Sequence, residues 1–253
     1  MKLPGLAGNV ERRLLVNYRL DPDVLAPLLP APFRPQLVNG YAVAGICLIR
    51  LGAMRPAKLP ARLGLTSESA AHRMAVEWDT PDGPRQGVYI PRRDTDSLVS
   101  VAVGGRLYPG VHHRARFEIS ESADRLRVAF AARDRSASVR VDVRIADELT
   151  GSRLFADAAA ASAFFEAGSI GYSDTRDPAR FDGLALHTTA WQVEPGSVVT
   201  AESSFFADRT RFPEGSAELD CALVMRQVPV FWRPLTSLRT TVPDAGAAVV
   251  NPR

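Results

Sequence analysis

The sequence predicts an α+β fold that is mainly antiparallel β, in a single domain spanning residues 1–253. Three observations lead to this prediction. Short alternating or β-rich runs recur along the chain, turn signals such as TPDGP separate them, and no low-complexity linker divides the sequence. A hydrophobic fraction of 46% with 23% charged residues is typical of a chain that folds around a sizeable core.

The amino-terminal part indicates a strand, a short helix and a second strand. RRLLVNYRL suits the first strand, and DPDVLAPLLPAPF predicts a helix with Asp21 as N-cap and Pro22 in its first turn. Pro30 and Pro32 end this helix. The apolar, partly β-branched run GYAVAGICLIRLGAM then predicts a strand that is buried on both faces.

The rest of the chain predicts further strands and one clear helix. DAAAASAFFEAG predicts a helix of about three turns that ends near Gly168. Pro195-Gly196 predicts a tight turn between two late strands. The expected strands are residues 65–79, 85–90, 112–120, 125–132, 137–145, 184–194, 197–206 and 217–228.

Charge and composition argue against several classes of partner. The net charge of +3 comes from arginines interleaved with acids rather than from a basic block, so nucleic acid is not expected. No apolar run approaches the ~18 residues of a membrane span, so we expect a cytoplasmic protein that does not bind membranes. Cys47 and Cys221 lack metal-ligand spacing and predict buried free thiols, and we expect no metal and no cofactor.

Two adjacent histidines stand in GGRLYPGVHHRARFEI, and a strand must turn them to opposite faces. The positions in phase with His113 are apolar: Val111, Ala115, Phe117 and Ile119. The positions in phase with His112 are polar: Arg114, Arg116 and Glu118. His113 therefore belongs to the apolar face.

The run LTSESAAHRMAVEW places Glu68 and His72 on one face with apolar residues. A carboxylate and two imidazoles on apolar faces are costly unless they are paired or line a pocket, so Glu68, His72 and His113 are the first site candidates. The alternatives are that both histidines are hydrogen-bonded core residues and that Glu68 lies in solvent at a sheet edge. No GxSxG, HExxH or phosphate-binding glycine motif is present.

Four motifs in order resemble the acetoacetate decarboxylase-like superfamily, and within it the YqjF-like bacterial branch. They are NYRLDPDVLAPLLPAPF, LTSESAAHRMAVEW, VAVGGRLYPGVHHRARF and LHTTAWQVEPGSV. The resemblance covers most of the chain. It implies a β-barrel or cone with a few peripheral helices, enclosing a cavity for a small molecule, and it implies a homo-oligomer.

The sequence differs from the family's decarboxylases at the catalytic positions. Those enzymes use a lysine pair and acidic residues to form and hold a Schiff base. The lysine pair falls on His113 and Arg114, and a family glutamate falls on Glu68. A second carboxylate, expected within YAVAGICLIRLGAM, is missing. An imidazole cannot form the protonated imine, so Schiff-base decarboxylation from that position is not expected. Of the two lysines, Lys2 is near the terminus, whereas Lys58 lies in the loop RPAKLPARLG. The alternatives for Lys58 are an exposed, protonated lysine and a substitute amine activated by Arg55 and Arg62.

Two hypotheses follow. In the first, an enzyme of lyase, isomerase, cyclase or hydrolase type acts on a small carbonyl or β-keto compound by acid-base chemistry, with His113 as the catalytic proton shuttle and Glu68 as a catalytic residue that orients or charges His113 or binds a polar group of the substrate. The candidate substrate-binding residues are His72, Arg12, Arg19, Arg114, His187 and Trp191. In the second, the same pocket holds an apolar or weakly acidic metabolite without catalysis. Trp191 also suits a packing role, and His187 a structural one.

Overall fold

The computed structural model describes residues 5–104 and 109–240. In this part of the chain, fourteen strands form one continuous sheet. The strands are β1 Leu6–Leu20, β2 Arg34–Pro35, β3 Leu37–Val38, β4 Tyr41–Pro56, β5 Leu65–Thr80, β6 Gly83–Thr95, β7 His112–Glu121, β8 Arg125–Ala132, β9 Ser138–Ile145, β10 Ile170–Asp174, β11 Arg180–His187, β12 Glu194–Ser203, β13 Ala217–Pro234 and β14 Leu238–Arg239. The helices are α1 Pro22–Leu25, α2 Leu98–Val103 and α3 Ala158–Ala167.

Nine of these strands close into a ring in the order β1-β4-β5-β6-β7-β8-β9-β12-β13. The ring is antiparallel except where β6 lies parallel to β7, and β10 adds a second parallel pairing on β6. The prediction of a mainly antiparallel β fold with few helices is therefore confirmed.

Alternating side chains give the ring an inner and an outer apolar layer. The inner layer includes Leu14, Leu48 and Val128, whereas the outer layer packs Leu15 and other strand residues against α3. Strand β4 contributes to both layers, and its residues 42–48 are all buried. The sequence prediction that this strand is buried on both faces is confirmed.

Local signals placed both predicted helices correctly. Asp21 caps α1 by accepting a hydrogen bond from the amide of Asp23, and Asp157 caps α3, which ends at Gly168. The hexapeptide α2 and strand β10 were not predicted. No helix in residues 5–104 or 109–240 has the length and hydropathy that a membrane span requires.

The prediction of a tight turn at Pro195-Gly196 is wrong, because both residues lie inside β12. Pro195 pairs with Leu223 of β13, and Gly196 lies between β9 and β13. A side chain at Gly196 would come within 2.6 Å of Val143, so glycine is needed there for close strand packing rather than for a turn.

Candidate active site

A cavity of about 320 Å³ opens where β5 and β7 diverge. Strand β6 separates them only as far as Thr95, which pairs with Ser69 on one side and with Arg114 on the other. Beyond that point β5 and β7 continue without a strand between them. The residues that line the gap are Glu68, Asp96, Arg114, Ala115, Arg116, Phe117, Ile119 and Arg133.

Glu68 is held at this cavity by a buried ion pair with Arg12 of β1. The Arg12 Nη2 to Glu68 Oε2 distance is 2.5 Å, and the two side chains are only 1% and 10% exposed. Arg50 lies 3.8 Å from the other carboxylate oxygen, Oε1, which has no hydrogen-bond partner among the described residues. One oxygen of Glu68 is thus fixed, whereas the other is buried and free of hydrogen-bond partners in the described part of the chain.

Burial raises the pKa of the Glu68 carboxyl, while the charges of Arg12 and Arg50 act in the opposite direction. Burial is the larger effect. The carboxyl is therefore protonated more readily than that of an exposed glutamate.

Strand register explains why these charges meet. Arg12 pairs with Arg226 of β13 and with Arg50 of β4, and Arg50 pairs with Glu68 of β5. Directly paired residues share a face of the sheet, so four charged side chains lie side by side across neighbouring strands. Glu121 at the end of β7 adds a carboxylate 3.5 Å from Arg12 Nη1.

His113 lies on the inner face but is not next to Glu68. Its Nδ1 atom is 3.7 Å from the Asp134 carboxylate, and its side chain is 38% exposed. Asp94 pairs with His113 on one side and with Ala70 on the other, so two strand spacings, about 10 Å, separate His113 from β5. The carboxylate beside His113 is therefore Asp134 rather than Glu68.

Arg114 lines the cavity, and its Nε and Nη1 atoms are buried without partners in the described part of the chain. His72 is instead enclosed within the ring, where it stacks on Phe205 with ring centroids 4.6 Å apart. Burial lowers the pKa of His72 to about 3, with Arg92 and Arg211 acting in the same direction, so its imidazole is neutral.

The remaining candidates lie elsewhere. Arg19 pairs with Glu218 and is 3.7 Å from Asp220, and His187 is exposed at the end of β11. Trp191 donates a 3.0 Å hydrogen bond to Ser162 of α3, on the outer layer. Lys58 is exposed in the β4–β5 connection, and Lys2 is outside the described residues.

Sequence reasoning missed several charged residues around the cavity: Arg50, Asp96, Glu121, Arg133 and Asp134. Arg50 is in phase with the buried residues Ile46 and Leu48, so strand alternation contained a signal for it. Arg133 and Asp134 belong to the β8–β9 turn, and only tertiary structure brings this turn to the start of β7.

A family model described as an uncharacterized conserved protein (COG2071), DUF2071, matches residues 9–229. The chain belongs to this family. Among curated proteins, no significant match is found.

Solved structures of acetoacetate decarboxylase-like proteins have the same fold as this chain. An acetoacetate decarboxylase-like enzyme from Sphingomonas wittichii RW1 aligns with a TM-score of 0.57 and 15% identity, covering 94% of this chain and 92% of that one. The enduracididine biosynthesis enzyme MppR complexed with pyruvate aligns with a TM-score of 0.59 and 15% identity, covering 93% of this chain and 92% of MppR. Acetoacetate decarboxylase from Legionella pneumophila aligns with a TM-score of 0.58 and 12% identity, covering 93% of this chain and 88% of the decarboxylase. The fold is that of the acetoacetate decarboxylase-like superfamily, as the sequence motifs implied.

Proposed function

We propose that this protein is an enzyme that moves a proton on a small carbonyl compound bearing a carboxylate, without a Schiff base. The observation that carries the proposal is the Glu68 carboxyl, buried at a cavity with one oxygen fixed by Arg12 and the other unpartnered among the described residues. A raised pKa and a carboxylate oxygen that makes no hydrogen bond to the described residues suit a general acid-base residue.

The charges at the cavity support a small anionic substrate. Arg114, Arg116 and Arg133 line it together with the carboxylates of Glu68 and Asp96, so arginines are in excess. The unpartnered nitrogens of Arg114 suit a carboxylate or an enolate oxygen. A volume of about 320 Å³ is at the small end for a ligand site, and MppR, which shares the fold, was solved with pyruvate.

The chemical step balances with this chain's own residues. Glu68 Oε1 takes a proton from the carbon next to the carbonyl, the C–H electron pair forms the enolate double bond, and the carbonyl π pair moves to oxygen. Arg114 stabilises that oxygen, while Arg12 holds Glu68 in place. Returning the proton to another carbon gives an isomerisation, and protonating a departing hydroxyl gives a dehydration.

His113 precedes the cavity residues Arg114 and Ala115 on β7 and is proposed as a second proton-transfer group, oriented by Asp134. It occupies the position that the family resemblance gives to the Schiff-base lysine, and an imidazole cannot form the imine. Lys58 is exposed in the β4–β5 connection, so we expect no covalent adduct there.

Binding and trapping experiments test this function. Pyruvate and acetoacetate are titrated into the wild-type protein, Glu68→Gln and the control Glu166→Gln, whose carboxylate is exposed on α3. We expect saturable binding in all three proteins and no mass adduct after borohydride reduction. A borohydride-trapped adduct on either lysine would replace the acid-base mechanism with imine chemistry.

A non-catalytic binding protein is the second candidate, and one observation favours it. Glu68 and His113 each lie beside a different charged partner, so these two residues do not form a hydrogen-bonded acid-base pair with each other. A metabolite that co-purifies with the protein and is released chemically unaltered after prolonged incubation would favour binding over catalysis.

A further inference from the structure

Three arginines cluster on the outer face of the sheet, the face opposite the proposed catalytic carboxyl. They are Arg13 of β1, Arg73 of β5 and Arg93 of β6, and they are in phase or paired with the outer-layer residues Leu15 and Ala71. Arg73 is 3% exposed, and its Nε and Nη1 atoms have no hydrogen-bond partner in the described part of the chain. Buried positive charge is costly without a compensating negative charge, so an anion would be stabilised here.

The described residues supply this cluster with uncharged acceptors rather than carboxylates. The side chains that accept its hydrogen bonds are Cys47 and Met225 for Arg13, Asn17 for Arg73 and Ser173 for Arg93. Sulfur is a weak acceptor, and Arg13 Nε lies 3.3 Å from Cys47 Sγ. Of these four acceptors, only the Cys47 thiol readily becomes an anion, by ionisation or by oxidation.

Strand register places Cys47 between two of the arginines. On β4, Ile49 pairs with Arg13, and Gly45 pairs with Arg73. Cys47 lies midway between these two β4 residues and shares their face of the sheet. Diagonal neighbours of this kind are about 7–8 Å apart, which a long side chain can reach. The absence of a side chain at Gly45 leaves space beside Cys47 for the guanidinium groups.

The charges act as this geometry requires. Burial lowers the pKa of Arg73 to about 10, and it lowers the pKa of Arg93 to about 10 as well. Cys47 acts in the opposite direction on both arginines. Arg13 adds to the lowering at Arg73, and Cys221 opposes it. An anion at position 47 would therefore compensate positive charge that has no carboxylate partner in the described part of the chain.

We propose that Cys47 is an oxidative modification site, at which peroxide converts the thiol to a sulfinate that Arg13 and Arg73 bind. The sulfur attacks one oxygen of hydrogen peroxide, so an S–O bond forms as the O–O bond breaks. Sulfur is oxidised by two electrons, peroxide is reduced, and the thiol proton leaves with the departing hydroxide as water. A second equivalent of peroxide gives the sulfinic acid, which loses its proton at neutral pH. The unpartnered Nε and Nη1 atoms of Arg73 donate to its oxygens.

Cys221 is a matched control within the same chain. Both cysteines are free and buried, as the sequence predicted, with exposures of 7% at Cys47 and 3% at Cys221. Burial raises the pKa of the Cys221 thiol to about 12. Its Sγ accepts a 3.5 Å hydrogen bond from the uncharged amide of Asn17 rather than from an arginine. An anion is therefore disfavoured at Cys221.

Peptide mass mapping after exposure of the folded protein to hydrogen peroxide tests the proposal. The reaction is stopped with catalase at a series of times, and the sulfinate fraction of each cysteine is measured. We expect Cys47 to be oxidised at least about tenfold faster than Cys221, and Arg13→Met to slow the Cys47 reaction about tenfold. Equal rates at the two cysteines, or a Cys47 rate that Arg13→Met does not change, would overturn the proposal.

Aspartate substitution tests the same cluster without depending on the access of peroxide. Cys47→Asp places a carboxylate among the arginines, so its urea midpoint should equal or exceed that of the wild type. Cys221→Asp buries a carboxylate without an arginine partner, and its midpoint should fall by about 1 M or more. A Cys47→Asp protein that is as unstable as Cys221→Asp, or that does not fold, would contradict the proposed anion site.

Discussion

Replacing Arg12 by methionine should destabilise the protein strongly, because the change removes one partner of a buried ion pair. Methionine preserves most of the packing volume but leaves the Glu68 carboxylate, whose side chain is 10% exposed, with only Arg50 at 3.8 Å. Breaking such a pair costs about 3–5 kcal/mol in free energy of unfolding. With an m-value of about 3 kcal/mol/M, the urea midpoint at pH 7 should fall by about 1–1.7 M.

The pH dependence of the Arg12→Met variant follows from the same charge. Losing Arg12 removes an interaction that lowers the pKa of Glu68, so the folded-state pKa rises further above the unfolded value. The stability linked to such a group is present at low pH and is lost as the pH rises through the folded pKa. The deficit of the variant should therefore be smaller at pH 4.5 than at pH 7.

Arg34→Met is the matched control, because Arg34 pairs with Asp79 at side-chain exposures of 45% and 77%. We expect a loss of about 0–1 kcal/mol there. The double variant Arg12→Met/Glu68→Met should recover most of the loss, since neither charge is left alone. An Arg12→Met variant as stable as Arg34→Met would refute the argument that this ion pair holds Glu68.

Two other charged residues give further predictions. Arg73 is 3% exposed, with Nε and Nη1 unpartnered in the described part of the chain and Nη2 donating a hydrogen bond to the buried Oδ1 of Asn17, so Arg73→Met removes a buried charge but leaves that oxygen unpaired, at a cost of about 1–3 kcal/mol in free energy of unfolding. The double variant Arg73→Met/Asn17→Leu removes both partners and should recover that loss in the urea midpoint, and no recovery would contradict this account. Hydrogen bonds from Arg125 lower the pKa of Asp142 to about 2, so its stabilising effect is present above pH 3.8 and is lost as the pH falls towards 2. Asp142→Asn should lower the urea midpoint at pH 7 but not at pH 2, and an equal difference at both pH values would contradict this linkage.

Much of the fold was predictable because the ring is built from long alternating strands. The alternation of side chains along β7 predicts that Ala115 and Phe117 lie on the inner layer, and the structure has both there. The turn prediction at Pro195-Gly196 failed because a glycine needed for strand packing has the same sequence signal as a glycine in a turn.

The candidate site was predictable only in part. Arg12 is in phase with Leu14 and Val16, whereas Arg19 is in phase with Leu15, so alternation could have separated the two arginines that sequence analysis left as alternatives. The Asp134 contact with His113 depends on where the β8–β9 turn lies after the ring closes. No local pattern contains that information.

Solvent-deuterium exchange into pyruvate tests the central claim most directly, because it reports proton removal next to a carbonyl without knowledge of the natural substrate. Loss of the methyl proton signal is followed by NMR in D₂O with wild-type protein, Glu68→Gln and Glu166→Gln. We expect the wild type and Glu166→Gln to accelerate exchange and Glu68→Gln to lose at least about 100-fold of that rate. Exchange no faster than in buffer, or equally fast with Glu68→Gln, would contradict the assignment of Glu68 as the acid-base residue.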